Sequence, residues 1–294
     1  MKIRTHAKVN LFLHVMGLRR DRYHEIETIL HGVNLADDLS ITPLDEPRIE
    51  VDMVLDEDVV GDIPQLEDNL VYLAARALVE NGAKDRGVHI DLLKRIPMAA
   101  GLGGGSGNAA GILVILNEMW GLSLDKGIVA DLAGRIGSDV PYCIAGGTAL
   151  AKARGEKLTR LPGPDDLWFV LGISNEPLKT RDVYQAWDDL GEPREASSAP
   201  MTMALGGGNP TEIASLLHND LEPIALQMRP ELHAKKDALA AAGALGAAVS
   251  GSGPTLFGIA SGESHAVRIA AAVEDVFDRV MVVRSQPECI ERLD

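Results

Sequence analysis

From Lys8 to Val15 the chain alternates, with Val9, Leu11, Leu13 and Val15 on one side and Lys8, Asn10, Phe12 and His14 on the other. This two-residue period predicts a strand with one polar face. The following HEIETILHGVNLADDLSI predicts more extended chain, with a turn at Asp37 and Asp38 before Leu39 to Ile41 and an end at Pro43 to Pro47, so the molecule opens on an antiparallel sheet. At Leu70, Leu73, Ala74, Ala77 and Leu78 the period becomes that of a helix face, with Asp68 or Asn69 as its cap and Asn81-Gly82 as its stop. Val88, Ile90 and Leu92 alternate again as a strand, Pro97 ends it, and a glycine-rich loop leads into AAGILVILNEMW, which is apolar all round and predicts a buried helix.

The second half repeats these signals in shorter pieces. LPGPDD, near Leu161 to Asp166, interrupts the strand pattern before LWFVLGI, and two domains, residues 1–163 and 164–294, follow from that break and from the chain length. The stretch from Gly191 to Pro210, with GEPREASSAP and Gly206 to Gly208, reads as a surface loop. Helices are expected around Asn209 to Leu217, Pro230 to Ala242 and Ser264 to Val276. AAVSGSGPTLFGIA reads as strand, turn and strand, and Val280 to Val283 as a last strand.

Charge and cysteine content narrow the class. A formal net charge of −15 repels polyanions, and the basic clusters stop at Arg19-Arg20 and Lys94-Arg95, which argues against nucleic acid as a partner. Cys143 and Cys289 alone cannot build a disulfide framework and lack the spacing of a zinc site, which fits a reducing cytoplasm. No run of 18 apolar residues predicts a membrane span, and Val9 to Leu18, broken by Asn10 and His14, lacks the features of a signal peptide. The sequence leaves monomer and homodimer open.

The densest chemical signal is MAAGLGGGSGN, with glycines at 101, 103, 104, 105 and 107. Glycine is costly in backbone entropy, but it lets a chain turn its N–H groups toward a close ligand while the next helix presents its positive end to the same point. A di- or triphosphate fits that arrangement; a tight turn without a ligand is the alternative. The loop has no lysine, which excludes a Walker A sequence, and Ser106 stands three residues after Gly103, which breaks GxGxxG. Ser106 could cap the helix, reach a phosphate or Mg²⁺, or do both.

PMAAGLGGGSGNAA resembles the phosphate loop of the GHMP kinases, which phosphorylate small alcohols. AKVNLFL, DRYHEIET, EDNL, GSDVPYCIAGGTAL and VSGSGPTLFG resemble, in order and spacing, the diphosphocytidyl-methylerythritol kinase branch, so the likeness runs from about Ala7 to Ile259. It implies an α+β fold of two domains, a ribosomal-protein-like β-α-β N-terminal one and a ferredoxin-like C-terminal one, with the active site between them. It implies an enzyme using ATP and Mg²⁺ to phosphorylate cytidine diphosphate methylerythritol at its 2-hydroxyl. Asp139 then accepts the hydroxyl proton and Lys8 holds Asp139 and the hydroxyl. By their residue types alone, Lys8 is a strand lysine and Asp139 a cap or turn residue.

The same resemblance places ATP at Pro97, Met98, Ala99, Ala100, Gly101, Leu102, Gly103, Gly104, Gly105, Ser106 and Gly107, with Asn69 and Lys94 near the adenine. It places the substrate at Asn10, Tyr23, His24, Thr180 and Tyr184, with Tyr23 stacking on the cytosine, His24 hydrogen-bonding it and Tyr184 closing its other face. Ser250 to Gly253 would form part of the cleft floor. Three residues depart from the pattern: Arg22 where glycine usually precedes Tyr-His, His6 where proline or glycine is common, and Gly107 where serine or alanine is usual. Two rival readings stand beside this one: a GHMP kinase for another alcohol, separated by Tyr23, His24 and Tyr184, and a nucleotide-binding paralogue without chemistry, against which Lys8 and Asp139 argue.

Overall fold

The structure is a computed structural model, and it describes residues 1–191 and 195–293. The strands in chain order are β1 (Lys2–Leu18), β2 (His24–Leu44), β3 (Ile49–Leu55), β4 (Gly87–Lys94), β5 (Thr148–Ala153), β6 (Lys157–Leu161), β7 (Trp168–Ile173), β8 (His218–Asn219), β9 (Gly246–Val249), β10 (Leu256–Ala260), β11 (Arg279–Arg284) and β12 (Ile290–Arg292). The helices are α1 (Leu70–Glu80), α2 (Gly104–Met119), α3 (Lys126–Ile136), α4 (Val140–Ala145), α5 (Thr180–Leu190), α6 (Ala199–Gly207), α7 (Pro210–Ser215), α8 (Glu222–Met228), α9 (Glu231–Ala241) and α10 (Glu263–Ala272). None of the described helices is long and apolar enough to cross a membrane.

Two sheets organise the α+β chain. The larger runs β12-β1-β2-β4-β3, with β5 and β6 continuing from β2 and β8 pairing with β1, so β8 and β12 return from the second half of the chain. The smaller runs β11-β7-β10-β9, all antiparallel. In chain order that is fourth, first, third, second, the ferredoxin-like order.

Strand β1 threads three apolar cores. Ile3 belongs to the core under α1, α2 and β4. Ala7, Val9, Leu11 and Phe12 pack between the sheets against Phe169, Phe257 and Met201, and Leu13 and Val15 join the core beneath α5, α8, α9 and α10. One strand reaches all three because its pairing with β2 shifts between His6 and Ala7, between Asn10 and Phe12, and between Val15 and Gly17. Each such bulge turns the strand and changes which side chains face inward. Phe12 is therefore buried, although simple alternation assigned it to the polar side.

Several expectations need correction. Asp37 and Asp38 make no turn; β2 runs straight through them to Leu44. Asp37 is fully buried and accepts hydrogen bonds from Arg95 N at 2.7 Å, Ile96 N at 2.9 Å and Asn108 Nδ2 at 2.9 Å, besides a close contact with the Lys94 ammonium. Asn108 Nδ2 also donates to Thr5 Oγ1 at 2.8 Å, so one carboxylate ties β2, the end of β4, α2 and β1 together. Helix α2 starts at Gly104, inside the glycine run. Gly206 and Gly207 end helix α6, with Gly208 as a left-handed cap, because Met201, Ala204 and Leu205 have a core to cover; the loop expectation at 192–194 lies outside the described residues. On α1 the buried stripe is Val71, Ala74, Ala75 and Leu78, one step round from the periodic set, and Asn69 caps it by accepting from Val71 N.

His31 is a buried polar strut between the halves. Its ring lies 2.8 Å from Thr148 Oγ1 on β5 and 2.8 Å from Ser285 Oγ, just after β11. Burial pushes its pKa down to about 4. Below the ordinary value near 6.5 the unfolded chain takes a proton that the folded chain refuses, so stability falls as pH drops from about 6.5 to 4. The loss expected from this ring is about 3 kcal/mol, and it should vanish in His31→Gln when urea midpoints are compared at pH 7 and pH 4.5. Asp37→Ala strands the buried Lys94 ammonium and should cost about 3 to 5 kcal/mol in urea unfolding; a change under about 1 kcal/mol would mean that the carboxylate is not holding these elements.

Candidate active site

The candidate side chains meet in a cleft of about 1110 Å³. Lys8 and Asn10 enter from β1, Asn69 from the start of α1, residues 97–106 from the loop and first turn of α2, Asp139 from the cap of α4, and Thr180 and Tyr184 from α5. Tyr23 and His24 line its far end, and Gly251 and Ser252 come from the turn between β9 and β10. Gly107 is the exception: it lines no part of the cleft, and a Cβ there would lie 3.3 Å from His6 O, so its smallness lets α2 pack on β1.

Lys8 is 4% exposed, yet its ammonium has three partners. It donates to Asn10 Oδ1 at 2.7 Å and to Gly101 O at 2.9 Å, and it stands 3.5 Å from Asp139 Oδ2. Asn10 cannot turn away, because its Nδ2 donates to Thr28 Oγ1, which in turn donates to Phe12 O. An ammonium has three N–H groups, and two are committed to carbonyl oxygens. The third direction faces Asp139, whose side chain remains about a third exposed to the cleft.

The glycine run is built as much for its own chain as for a ligand. Gly101 has φ +76°, and a Cβ there would stand 2.0 Å from Ser250 O. At Gly104 a Cβ would meet Ile96 Cγ2 at 2.8 Å and Lys94 Nζ at 2.9 Å. The loop is clamped from both sides, since Leu102 O accepts from Lys8 N at 2.9 Å and Gly101 O accepts from Ser250 Oγ at 2.9 Å. Ala100 and Leu102 bury their side chains, so only their backbones can serve a ligand. Gly103 caps α2 without a side chain, and the first N–H groups of a helix have no intrahelical partner, which leaves them as donors for an anion.

Asn69 and Lys94 line the same cleft with side chains already engaged. Asn69 caps α1, and the Lys94 ammonium contacts Asp37 and lies 3.2 Å from Asn108 Oδ1, while burial lowers its pKa against the pull of Asp37. At the other end the His24 ring stacks on Tyr184, 4.6 Å between centroids at 28°, and its Nε2 meets Asp188 Oδ1 at 2.7 Å. Tyr23 is half exposed, with the Arg154 guanidinium 4.8 Å from its ring centre. Arg22 takes φ +65°, so the turn keeps a left-handed residue of the kind glycine supplies at low cost. Thr180 Oγ1 and Ser252 Oγ are 2.9 Å apart and join α5 to the β9–β10 turn.

Sequence reading missed Ser138, Arg154 and Asp188 in this cleft. Thr180, Tyr184 and Asp188 recur every four residues on α5, a helical spacing that would have found Asp188. Arg154 carried no such signal. Arg154 follows β5, and the pairing of β5 with β2, which sets Ala153 opposite Ile26, brings it near Tyr23.

Comparison with known proteins agrees with this architecture. Residues 69–147 match the GHMP kinases N-terminal domain, and residues 201–279 match the GHMP kinases C-terminal domain. The 4-diphosphocytidyl-2-C-methyl-D-erythritol kinase of Shouchella clausii is 42% identical over 282 residues, 96% of this chain and 93% of its own. That of Pelotomaculum thermopropionicum is 40% identical over 279 residues, 95% and 96% of the two chains. A crystal structure of 4-(cytidine 5'-diphospho)-2C-methyl-D-erythritol kinase superposes with a TM-score of 0.79 at 33% identity, covering 97% of this chain and 99% of that one. This chain belongs to the GHMP kinases, in the family of the 4-diphosphocytidyl-2-C-methyl-D-erythritol kinases.

Proposed function

We propose that this kinase transfers the γ-phosphoryl group of ATP to the 2-hydroxyl of 4-diphosphocytidyl-2-C-methyl-D-erythritol, giving the 2-phosphate and ADP, in isoprenoid precursor synthesis by the methylerythritol phosphate route. The observation that carries it is the 3.5 Å approach of Lys8 and Asp139 in the cleft that also holds the uncapped start of α2. The full-length likeness to enzymes of that name selects the substrate.

The geometry supports the following roles. The backbone N–H groups at the start of α2 receive the phosphate chain, and the helix dipole favours its charge. Asp139 takes the proton of the acceptor hydroxyl as the O–P bond forms. Lys8, oriented by Asn10 and Gly101, offers its third N–H to Asp139 and to that hydroxyl, stabilising the negative charge that develops there. Tyr23 and Tyr184 are the aromatic residues for the cytosine ring, with the His24 ring stacked on Tyr184 and fixed by Asp188. Mg²⁺ fits as an ion carried in on the phosphates. Among the described residues the clusters of three or more ligating side chains lie outside the cleft, and the Ser106 hydroxyl, which lines it, would be a protein ligand for an ion held by phosphate oxygens. Once bound, it would neutralise phosphate charge.

Asp139→Asn should lower kcat by at least about 100-fold in a coupled ADP-release assay, with little change in thermal stability, because the side chain is partly exposed. ADP release that stays within about threefold of the parent would remove Asp139 from the chemistry. Tyr184→Ala should raise KM for the cytidine substrate about 10-fold while KM for ATP stays within about twofold. Equal shifts in both constants would place Tyr184 outside the base pocket. Failure of the cytidine substrate to support ADP release, while homoserine or mevalonate does, would move the protein to another branch.

A further inference from the structure

Strand β1 carries a second chemical cluster, beyond Asn10 and on the far side of the cleft wall. His14 Nδ1 lies 2.6 Å from Asp220 Oδ2, and His218 Nε2 lies 2.9 Å from Asp220 Oδ1. The Asp220 side chain is 3% exposed, and its Oδ2 also accepts Val15 N at 2.8 Å. None of these three side chains lines the active cleft.

A carboxylate bridging two imidazoles would account for the cluster if each ring gave it an N–H. His218 does not. Its Nε2 is buried and without a hydrogen-bond partner, near Oδ1 but off the line such a bond requires, while its ring is held against Phe12 at 5.1 Å and 29°. A buried ring nitrogen without a partner is the kind of group that an ion or water completes. The three ligand atoms all lie within 4.8 Å of one another. Around a tetrahedral zinc, with bonds of about 2.0 to 2.2 Å, neighbouring ligand atoms stand roughly 3.4 Å apart, so each imidazole–carboxylate pair has to open by less than about 1 Å. A cavity of about 390 Å³ lies against His218, Asp220, Glu222 and Gln227 and leaves room for entry and for a fourth, water ligand.

We propose that His14, His218 and Asp220 form a divalent transition-metal site, of zinc type. Two imidazole nitrogens with one carboxylate suit zinc, cobalt or nickel; magnesium and calcium prefer an all-oxygen set. The ion joins β1 to β8, which are separated by about two hundred residues of chain and pair in parallel at Phe12 with His218 and at Leu13 with Asn219. Asn219, between the two ligands from this segment, donates to Val249 O and Gly251 O, each at 2.8 Å. A Cβ on Gly251 would lie 3.4 Å from Lys8 Nζ, so the ion braces the turn that backs the catalytic lysine without entering the cleft.

The test uses the full chain, stripped with a chelator and titrated with Co²⁺ and Zn²⁺. One equivalent of Co²⁺ should give intense visible d–d bands of four-coordination without a thiolate charge-transfer band, since neither cysteine takes part. Zn²⁺ at about 100 times its Kd should raise Tm by about 5 °C. His218→Gln and His14→Gln, shown folded by circular dichroism, should each weaken binding at least about 10-fold. His89→Gln, which alters the exposed cluster of Asp52, His89 and Asp91, should leave it unchanged. Absence of a stoichiometric Co²⁺ spectrum in the parent chain, or a spectrum unaltered in both His14→Gln and His218→Gln, overturns the proposal.

Discussion

The active cleft depends on one buried carboxylate. Asp37 takes the backbone N–H groups of Arg95 and Ile96 at the point where β4 ends, and the side chains of Lys94 and Asn108 from either side of the glycine run. A charge taken out of water is tolerated only when paired and fully hydrogen-bonded, and Asp37 is both. Its partners are thereby fixed relative to β2, and with them the direction in which the chain enters α2. The loop over which a phosphate chain would lie is thus suspended between a strand end and a helix start that cannot shift independently.

Glycine serves two purposes within that suspension. Gly101 and Gly104 leave no room for a Cβ, because Ser250 O, Ile96 and Lys94 already stand there, and the loop can approach Lys8 and the β9–β10 turn only as bare backbone. The same closeness makes the approach of Lys8 to Asp139 possible. Gly101 O holds one N–H of Lys8, and Lys8 N holds Leu102 O, so the loop that would bind phosphate also aims the ammonium at Asp139. The loop, Lys8 and Asp139 share one rigid connection.

The cleft's position follows from β1. Its bulges let one strand serve three cores in turn, and the polar residues Lys8 and Asn10 come where the strand passes between the sheets. Deep burial there is affordable only because each polar atom is met: Lys8 by Asn10 and Gly101, Asn10 by Thr28, and Thr28 by Phe12 O. Across the cleft, α5 hangs Tyr184 and Asp188 over His24, and Thr180 ties that helix to Ser252, so α5 and the glycine loop rest on neighbouring parts of one turn.

Local pattern determined much of this from the chain alone. The alternation around Lys8 and Asn10, the helix after Asn69, the glycine run ahead of an apolar helix and the strand-turn-strand at SGSG are short-range signals, set by side-chain period and backbone freedom, and motif order pointed to the family. The tertiary structure alone decided what distant segments do to one another. It made Asp37 and Asp38 part of a strand where their residue types spell a turn, because Lys94, Arg95 N, Ile96 N and Asn108 wait for the carboxylate. It turned Gly206 and Gly207 into the end of a helix, and it seated Gly107 against His6 O outside the cleft. It also set Lys8 3.5 Å from Asp139 across 131 positions of sequence. Contacts of that range depend on how the sheets pack and where β1 bends, and no periodicity within a single segment encodes them.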